Sequence, residues 1–234
     1  MNAPVSEDLH PGADLRLRPA IAGDLEAILA VKQRLRLSHE AAADAQPMPR
    51  GGFLLGTSPA QYARLIAGGR TRVLTDRGVV VGFTTALADA ELRASDLWQR
   101  RGQIDLGERA ALLSALEQLP LAYLDQLALL PDPKYRLCGA LLAYHAVAAL
   151  FAEGSAVVIT TVVDKPRRNL ASRPLLQAVG ALRVGSVAEH YPEVGAVTSD
   201  VFVVPSAALD PEAQDDARRR ARLRRLAALS RSMS

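Results

Sequence analysis

The amino-acid sequence predicts a single α/β (α+β) domain with a mixed, mostly antiparallel central sheet of six to seven strands, flanked by helices. The first reason is the order strand, helix, strand, helix over residues 121–179. Such a crossover requires at least one parallel pair of strands. The second reason is that a hairpin precedes this segment, at 72–87, and two consecutive strands follow it, at 182–204. This order excludes a doubly wound nucleotide-binding fold, in which strands and helices alternate throughout.

Composition excludes several classes of protein. Of the 234 residues, 49% are hydrophobic and 23% are charged, the balance of a soluble globular domain. Cys138 is the single cysteine and the four histidines are scattered. We therefore expect neither disulfides nor a metal site, and a reducing cytoplasm is the default compartment. The apolar stretch 137–163 is interrupted by His145 and Glu153 and is β-branched in its second half, which favours a buried helix and strand over a membrane span.

Local signals predict the elements of the N-terminal half. Asp24 is a candidate cap for the first helix, and Ser58-Pro59 opens the second with serine at the cap and proline in the first turn. The predicted segments are a disordered arm 1–14, a strand 15–18, a helix 24–38, a loop 40–56, a helix from 58 to about 67, hairpin strands 72–75 and 79–87, and a helical insert 89–120. We expect the insert, which holds Trp98, to pack on the domain as an amphipathic helix, with a wall of a ligand-binding site as the alternative.

The C-terminal half follows from apolar runs and helix stop signals. Residues 156–163 are apolar at both parities, as in a central strand that is buried on both faces. Glu153-Gly154 ends the helix before this strand. The predicted segments are a strand 121–130, a helix 136–151, a strand 156–163, a helix 168–179, strands 182–187 and 197–204, and a charged helical tail in 206–234. The folded domain is therefore expected to span 15–205.

The tail carries the strongest charge run of the chain. Residues 218–225 include six arginines, and acidic residues precede them from Asp210 to Asp216, a distribution that suits the dipole of a helix. An RNA-binding interpretation stays open. However, the run has no aromatic residue for base stacking, and the net charge of the whole chain is only +3. The pattern therefore favours a solvated helix or a frayed terminus, without nucleic acid as a partner.

The segment 127–142, LALLPDPKYRLCGALL, joins a strand to a helix through a proline turn and a loop with one glycine. The first amides of a helix have no internal partner and carry partial positive charge, so they can bind a pyrophosphate. Gly139 lets the backbone come close to such a ligand. Lys134 and Arg136 add positive charge. The segment resembles the acyl-CoA motif of the GNAT superfamily of N-acetyltransferases, with Leu141 where the family has Gly or Ala.

A second segment, 169–181, is similar to the family's Asn-x-x-Ala-x-x-x-Tyr-x-x-x-Gly-Phe motif. Asn169, Ser172 and Gly180 fall at the family's spacing. Leu176 stands at the position of the tyrosine, which in the family often protonates the leaving thiolate, and Ala181 stands at the position of the phenylalanine. With the opening strand and helix, the resemblance covers about 15–204.

The resemblance implies a GNAT-type fold that uses acetyl-CoA as cosubstrate and transfers its acetyl group directly to a primary amine in a ternary complex. The implied cofactor-binding residues are Leu127 and Leu129 for the pantetheine arm, Arg136, Leu137, Cys138, Gly139, Ala140, Leu141 and Leu142 for the pyrophosphate, and Asn169 with Ser172 beside the arm. A homodimer stays open, since exposed terminal strands of this fold often pair between subunits. The alternative is a non-catalytic GNAT-fold module that binds CoA or another protein.

Asp125 is the candidate general base. Strand alternation predicts that Tyr123, Asp125, Leu127 and Leu129 share one face, and an acid in a core strand needs a reason. The reason is either proton transfer from the amine or a pair with a basic side chain, such as an arginine of the insert. The sequence favours neither.

Tyr191 is the candidate for the acid that Leu176 cannot supply, because it follows the penultimate predicted strand. The alternative is an aromatic residue that packs at the turn before Pro192. Together, Asp125 and Tyr191 are the predicted catalytic residues.

Overall fold

The structure, a computed structural model, describes residues 14–35, 54, 56–135, 137–191 and 194–234. Its sheet has seven strands in the order β1-β2-β3-β4-β5-β7-β6. The strands are β1 Leu15–Pro19, β2 Thr71–Asp76, β3 Val79–Ala88, β4 Leu121–Leu129, β5 Val157–Lys165, β6 Leu182–Tyr191 and β7 Gly195–Pro205. β4 and β5 pair in parallel, and the other neighbouring pairs are antiparallel. The predicted mixed, mostly antiparallel sheet is confirmed.

The helices flank this sheet. They are α1 Leu25–Leu35, α2 Pro59–Ala67, α3 Asp89–Arg93, α4 Asp96–Gln99, α5 Ala111–Glu117, α6 Cys138–Ala152, α7 Arg173–Ala178 and α8 Ala217–Met233. Ser58 caps α2 as predicted, and Gln61 completes the capping box. Asp24 is different, because its carboxylate bonds to the Ile21 amide and to Arg18 instead of capping α1. The predicted arm 1–14 and loop 40–56 lie almost wholly outside the described residues.

The insert forms three short helices, α3, α4 and α5, instead of one. Leu92, Trp98 and Leu116 bury their side chains under it, against the sheet. It reaches across to β6, where the backbones of Asp105 and Ser186 form an antiparallel bridge. The insert therefore covers one face of β4, β5, β6 and β7.

The tail helix α8 is neither frayed nor fully solvated, so the interpretation of residues 218–225 as a solvated run is wrong for one side of the helix. Leu223 is fully buried, and Leu226 and Met233 are nearly so. The helix packs on α6 and β1, and its arginines lie on the remaining faces. Leucines spaced three residues apart in an arginine run are enough for this stripe. None of the helices in the described ranges is long and apolar enough to cross a bilayer.

The two faces of the sheet are covered differently. On one face, α6, α7 and α8 build one large apolar cluster with residues of β1, β2, β3, β4, β5 and β7. A small separate cluster joins Leu176 of α7 to Val162 and Phe202. On the other face there are two separate clusters, one under the insert and one under α1 and α2. Polar side chains occupy the interval between those two clusters, at the middle of β4.

Candidate active site

A cleft opens where β4 and β5 separate. Their parallel pairing covers only Leu121–Tyr123 against Val157–Ile159. Beyond it, the Thr160 hydroxyl donates to the Leu124 carbonyl at 2.8 Å. β4 stays paired with β3 as far as Leu129, so its other edge faces a cleft of about 670 Å³. The β4 backbone at 125–129 therefore has no β5 partner in the described part of the chain.

Asp125 lies at a β-bulge, at the point where β4 diverges from β5. Across the β3–β4 pair, Thr85 faces Gln126 and Ala86 faces Leu124, so Asp125 is the extra residue. The bulge reverses the alternation of the strand.

The expectation that Tyr123, Asp125, Leu127 and Leu129 share a face is therefore wrong. Tyr123 belongs to the cluster under the insert. Leu127 and Leu129 pack with Leu124 on the α6 side. A one-residue bulge moves every later side chain to the opposite face.

The Asp125 carboxylate is held by hydroxyl groups. Its Oδ2 accepts from Thr85 Oγ1 at 3.1 Å and lies 3.4 Å from Thr57 Oγ1. Burial raises its pKa to about 6, against the lowering effect of these hydroxyls and of Lys32, and Glu189 raises it further. No arginine of the insert pairs with it among the described residues. A carboxylate with this pKa, in a cleft, suits proton transfer near neutral pH.

Gln126, beside Asp125, anchors the same polar group. The Tyr62 hydroxyl donates to Gln126 Oε1, and Gln126 Nε2 donates to Thr57 Oγ1 at 2.9 Å. Lys32 Nζ donates to the Thr57 carbonyl at 2.6 Å and lies 5.0 Å from the centre of the Tyr62 ring. Thr57 is thus fixed by α1 on one side and by β4 on the other. We call Thr57, Tyr62, Thr85, Asp125 and Gln126 the bulge cluster.

The opposite wall comes from β6 and β7. Tyr191 and Ser199 line the cleft, and both donate to Glu189, Tyr191 to Oε1 and Ser199 to Oε2, each at 3.0 Å. Nearer the paired strands, the Tyr123 and Thr161 hydroxyls lie 2.7 Å apart. The two predicted catalytic residues, Asp125 and Tyr191, therefore line one cleft from different strands.

The start of α6 borders the far part of the cleft. Gly139 lines it, and a Cβ there would lie 3.0 Å from Leu175 Cδ2. Leu137 is exposed, Ala140 is half-buried, and burial raises the pKa of the Cys138 thiol to about 11. Arg136 lies outside the described residues.

Leu141 and Leu142 point their side chains into the cluster under α6 and do not line the cleft. The departure from the family pattern at Leu141 therefore leaves the cleft open. Leu176 does line it and packs on Val162 and Phe202, so an apolar wall replaces a hydroxyl there.

Asn169 and Ser172 line the cleft, but their polar groups form hydrogen bonds within their own turn. Asn169 Oδ1 accepts from the amides of Ala171 and Ser172, and its Nδ2 donates to Ser172 Oγ at 3.0 Å. This turn shapes the approach to α7. Lys134 forms an ion pair, with its Nζ 3.0 Å from Asp76 Oδ2. The same oxygen accepts a hydrogen bond from the Tyr135 hydroxyl.

Comparison with known proteins gives structural relatives. No family model and no curated sequence matches the chain. The ribosomal-protein-S18-alanine N-acetyltransferase from Escherichia coli matches with 17% identity over 82% of this chain and 93% of that one, TM-score 0.52. A GCN5-related N-acetyltransferase from Kribbella flavida matches with 19% identity over 82% and 98%, TM-score 0.50. The chain has the GNAT fold. The NatC complex bound to Gag peptide and CoA also matches, with 14% identity over 82% and 98%, TM-score 0.53.

Within the GNAT fold, sequence reasoning missed the residues around Asp125. Thr57, Tyr62 and Thr85 come from three different elements, and nothing local in the sequence brings them to β4. One signal was present for Thr57, since it precedes the capping box of α2 and the cap fixes where that helix begins.

Proposed function

We propose that the chain is an acetyl-CoA-dependent N-acetyltransferase that acts on a primary amine by direct transfer. The observation that carries the proposal is Asp125, a carboxylate whose pKa is raised to about 6, at the point where β4 leaves β5 and the cleft begins. The fold supports the same conclusion, since the related E. coli enzyme is an N-acetyltransferase and the NatC complex was solved with CoA.

The far part of the cleft fits a CoA arm. The unpaired edge of β4 at Leu127 and Leu129 offers backbone groups to the amides of the pantetheine. The 15-residue helix α6 begins beside Gly139, so its first amides supply donors for a pyrophosphate. Asn169 and Ser172 form the wall beside the arm, and Arg136 stays a predicted phosphate ligand.

The chemistry assigned to the protein is removal of a proton and stabilisation of charge. Acetyl-CoA supplies an activated acetyl group as a thioester. Asp125 is mostly ionised at neutral pH and accepts the proton that the amine loses when its nitrogen bonds to the acetyl carbon. Backbone amides of the open β4 edge are fixed donors for the negative charge that develops on the carbonyl oxygen.

The properties of the one thiol near the cleft favour direct transfer over a covalent acyl-enzyme route. A covalent route needs an activated thiol or hydroxyl. The Cys138 thiol is buried in the cluster under α6, and its raised pKa keeps it protonated at neutral pH. It is therefore a poor acyl carrier.

Calorimetric titration with acetyl-CoA is the first test, on the unmodified chain and on Gly139→Trp. Gly102→Trp is the matched control, since a Cβ at Gly102 would meet open space. We expect micromolar binding that only Gly139→Trp abolishes. A thiol-release assay with agmatine, spermidine and a peptide with N-terminal alanine then tests transfer.

An absence of acetyl-CoA binding by the unmodified chain would refute the proposal. Binding without release of thiol for any of the three amines would favour the alternative, a non-catalytic CoA-binding module.

A further inference from the structure

The Tyr191 hydroxyl has only one hydrogen, and the structure directs it to Glu189. It donates to Glu189 Oε1 at 3.0 Å, while Ser199 occupies Glu189 Oε2 at the same distance. Ser199 is almost completely buried, so this carboxylate is held on both oxygens. What Tyr191 can still offer to a group in the cleft is the lone pairs of its oxygen.

The charges around Tyr191 oppose the role of acid that the sequence suggested. If Tyr191 gave up its proton, a phenolate would stand beside the carboxylate of Glu189 and across the cleft from Asp125. Burial, then Glu189 and then Asp125 raise its pKa, and only exposed Arg100 acts in the opposite sense. These groups therefore oppose the formation of a phenolate at Tyr191.

We propose that Tyr191 binds the acceptor amine through its phenol oxygen, and that Glu189 is the residue that positions it. The inference rests on the proposed function and deepens it. A primary amine has two N–H groups. One donates to Tyr191, the other faces Asp125, and the nitrogen lone pair is left for the acetyl carbon.

The bond changes then balance. The C–N bond forms, the C–S bond breaks, and its electron pair goes to sulfur. The proton on nitrogen goes to Asp125, and the thiolate takes a proton from Asp125 or from solvent. The remaining N–H of the new amide keeps its hydrogen bond to Tyr191. A secondary amine has one N–H, which it must share between Asp125 and Tyr191. The arrangement thus selects primary amines over their N-methyl analogues.

The test measures kcat and KM for the best amine of the panel and for its N-methyl analogue, with Tyr191→Phe. The control is Tyr144→Phe, a buried tyrosine on α6 that does not line the cleft. We expect Tyr191→Phe to raise KM for the primary amine about 3–10-fold, the value of one hydrogen bond, with kcat nearly unchanged. The preference for the primary amine over the N-methyl analogue should fall by the same factor.

The opposite pattern would overturn the inference. A general acid contributes about 10²–10⁴-fold, so a loss of that size in kcat with KM unchanged would restore Tyr191 as the acid. An unchanged preference for the primary amine would also refute it.

Glu189→Gln tests the positioning role in a double-mutant cycle. If Glu189 acts through Tyr191, Glu189→Gln raises the amine KM in the unmodified background and adds little to Tyr191→Phe. Equal effects in both backgrounds would remove Glu189 from this role. Acetyl-CoA titration is run on every variant. If the unmodified chain acetylates no amine, the proposed function fails and this inference fails with it. If the unmodified chain does acetylate an amine but Tyr191→Phe lowers only kcat, this inference alone is overturned.

Discussion

The two faces of the sheet show how stability and chemistry are divided in this fold. The face under α6 and α8 is covered by one large apolar cluster, beside a small cluster of Val162, Leu176 and Phe202 under α7. The other face is interrupted, because the bulge cluster separates the residues under the insert from those under α1 and α2. Apolar burial is the main source of folding free energy, whereas a buried carboxylate costs free energy. The face under α6 and α8 therefore contributes most of the apolar stabilisation, and the interrupted face holds the carboxylate that we propose as the base.

The largest expected effect belongs to the interrupted face. Asp125→Asn removes the proposed base and should lower kcat/KM about 10²–10⁴-fold, the usual contribution of general base catalysis. Steady-state kinetics measures it, with Asp96→Asn, an exposed carboxylate on α4, as the control. A loss below tenfold would mean that another group takes the proton.

On the face under α6 and α8, Leu223→Ala should lower the free energy of unfolding by about 2–5 kcal/mol, as other buried Leu→Ala changes do. The neighbouring exposed Arg222→Ala should change it by less than about 0.5 kcal/mol. Urea unfolding measures both. Equal effects of the two substitutions would show that α8 is not part of the core. A large effect of Leu223→Ala alone would mean that deletion of the tail opens the core, so such a deletion could not test nucleic-acid binding.

The same Asp125→Asn variant should be more stable than the unmodified chain at pH 7. The pKa of Asp125 is raised in the folded state to about 6, so the folded state binds more protons than the unfolded state between about pH 4 and pH 6. The free energy of unfolding therefore falls by roughly 2–3 kcal/mol as the pH rises through this window. Asparagine carries no such cost. Thermal unfolding should show the gain at pH 7 and its disappearance near pH 4; a gain that is constant with pH would contradict the assignment.

The smallest effect is a shift in the pH profile. kcat/KM should rise with pH through about 6 as Asp125 ionises. Lys32 on α1 lowers this pKa, Glu189 on β6 raises it, and the neutral phenols of Tyr62, Tyr123 and Tyr191 lie nearby. Lys32→Gln should therefore move the midpoint upward. A downward shift would show that Lys32 acts mainly through Thr57.

Local signals predicted most of the fold. The capping box at Ser58, the turn at 76–78 and the β-branched run of β5 each specify their element through nearby residues. They were sufficient for the order of elements along the chain and for the presence of one parallel pair. The strand–loop–helix connection around Gly139 was predicted for the same reason, because strand, glycine and helix start are adjacent in the chain. Its role in binding a phosphate stays a prediction.

The features that sequence reasoning missed depend on contacts between distant residues. The bulge at Asp125 arises only when β4 pairs with β3, so alternation misplaced Leu127 and Leu129. Likewise, the burial of Leu223 was missed because it lies in a run of arginines, and it becomes buried only when α8 packs on α6. The hydrogen bond from Tyr191 to Glu189 on the same strand was not predicted either, since side-chain orientations on β6 follow from its pairing with β7.

The bulge also sets the density of functional groups along β4. In a regular strand, side chains on one face recur every second residue, about 6.6 Å apart. At the bulge, the consecutive side chains of Asp125 and Gln126 both meet Thr57, so two polar groups share the length of strand that normally serves one. Deletion of residue 125 would restore a regular ladder with uninterrupted alternation. Such a chain would have a more uniform sheet and would lack the carboxylate that we propose as the base. One supernumerary residue in β4 thus separates a regular strand from one that carries the proposed reactive group.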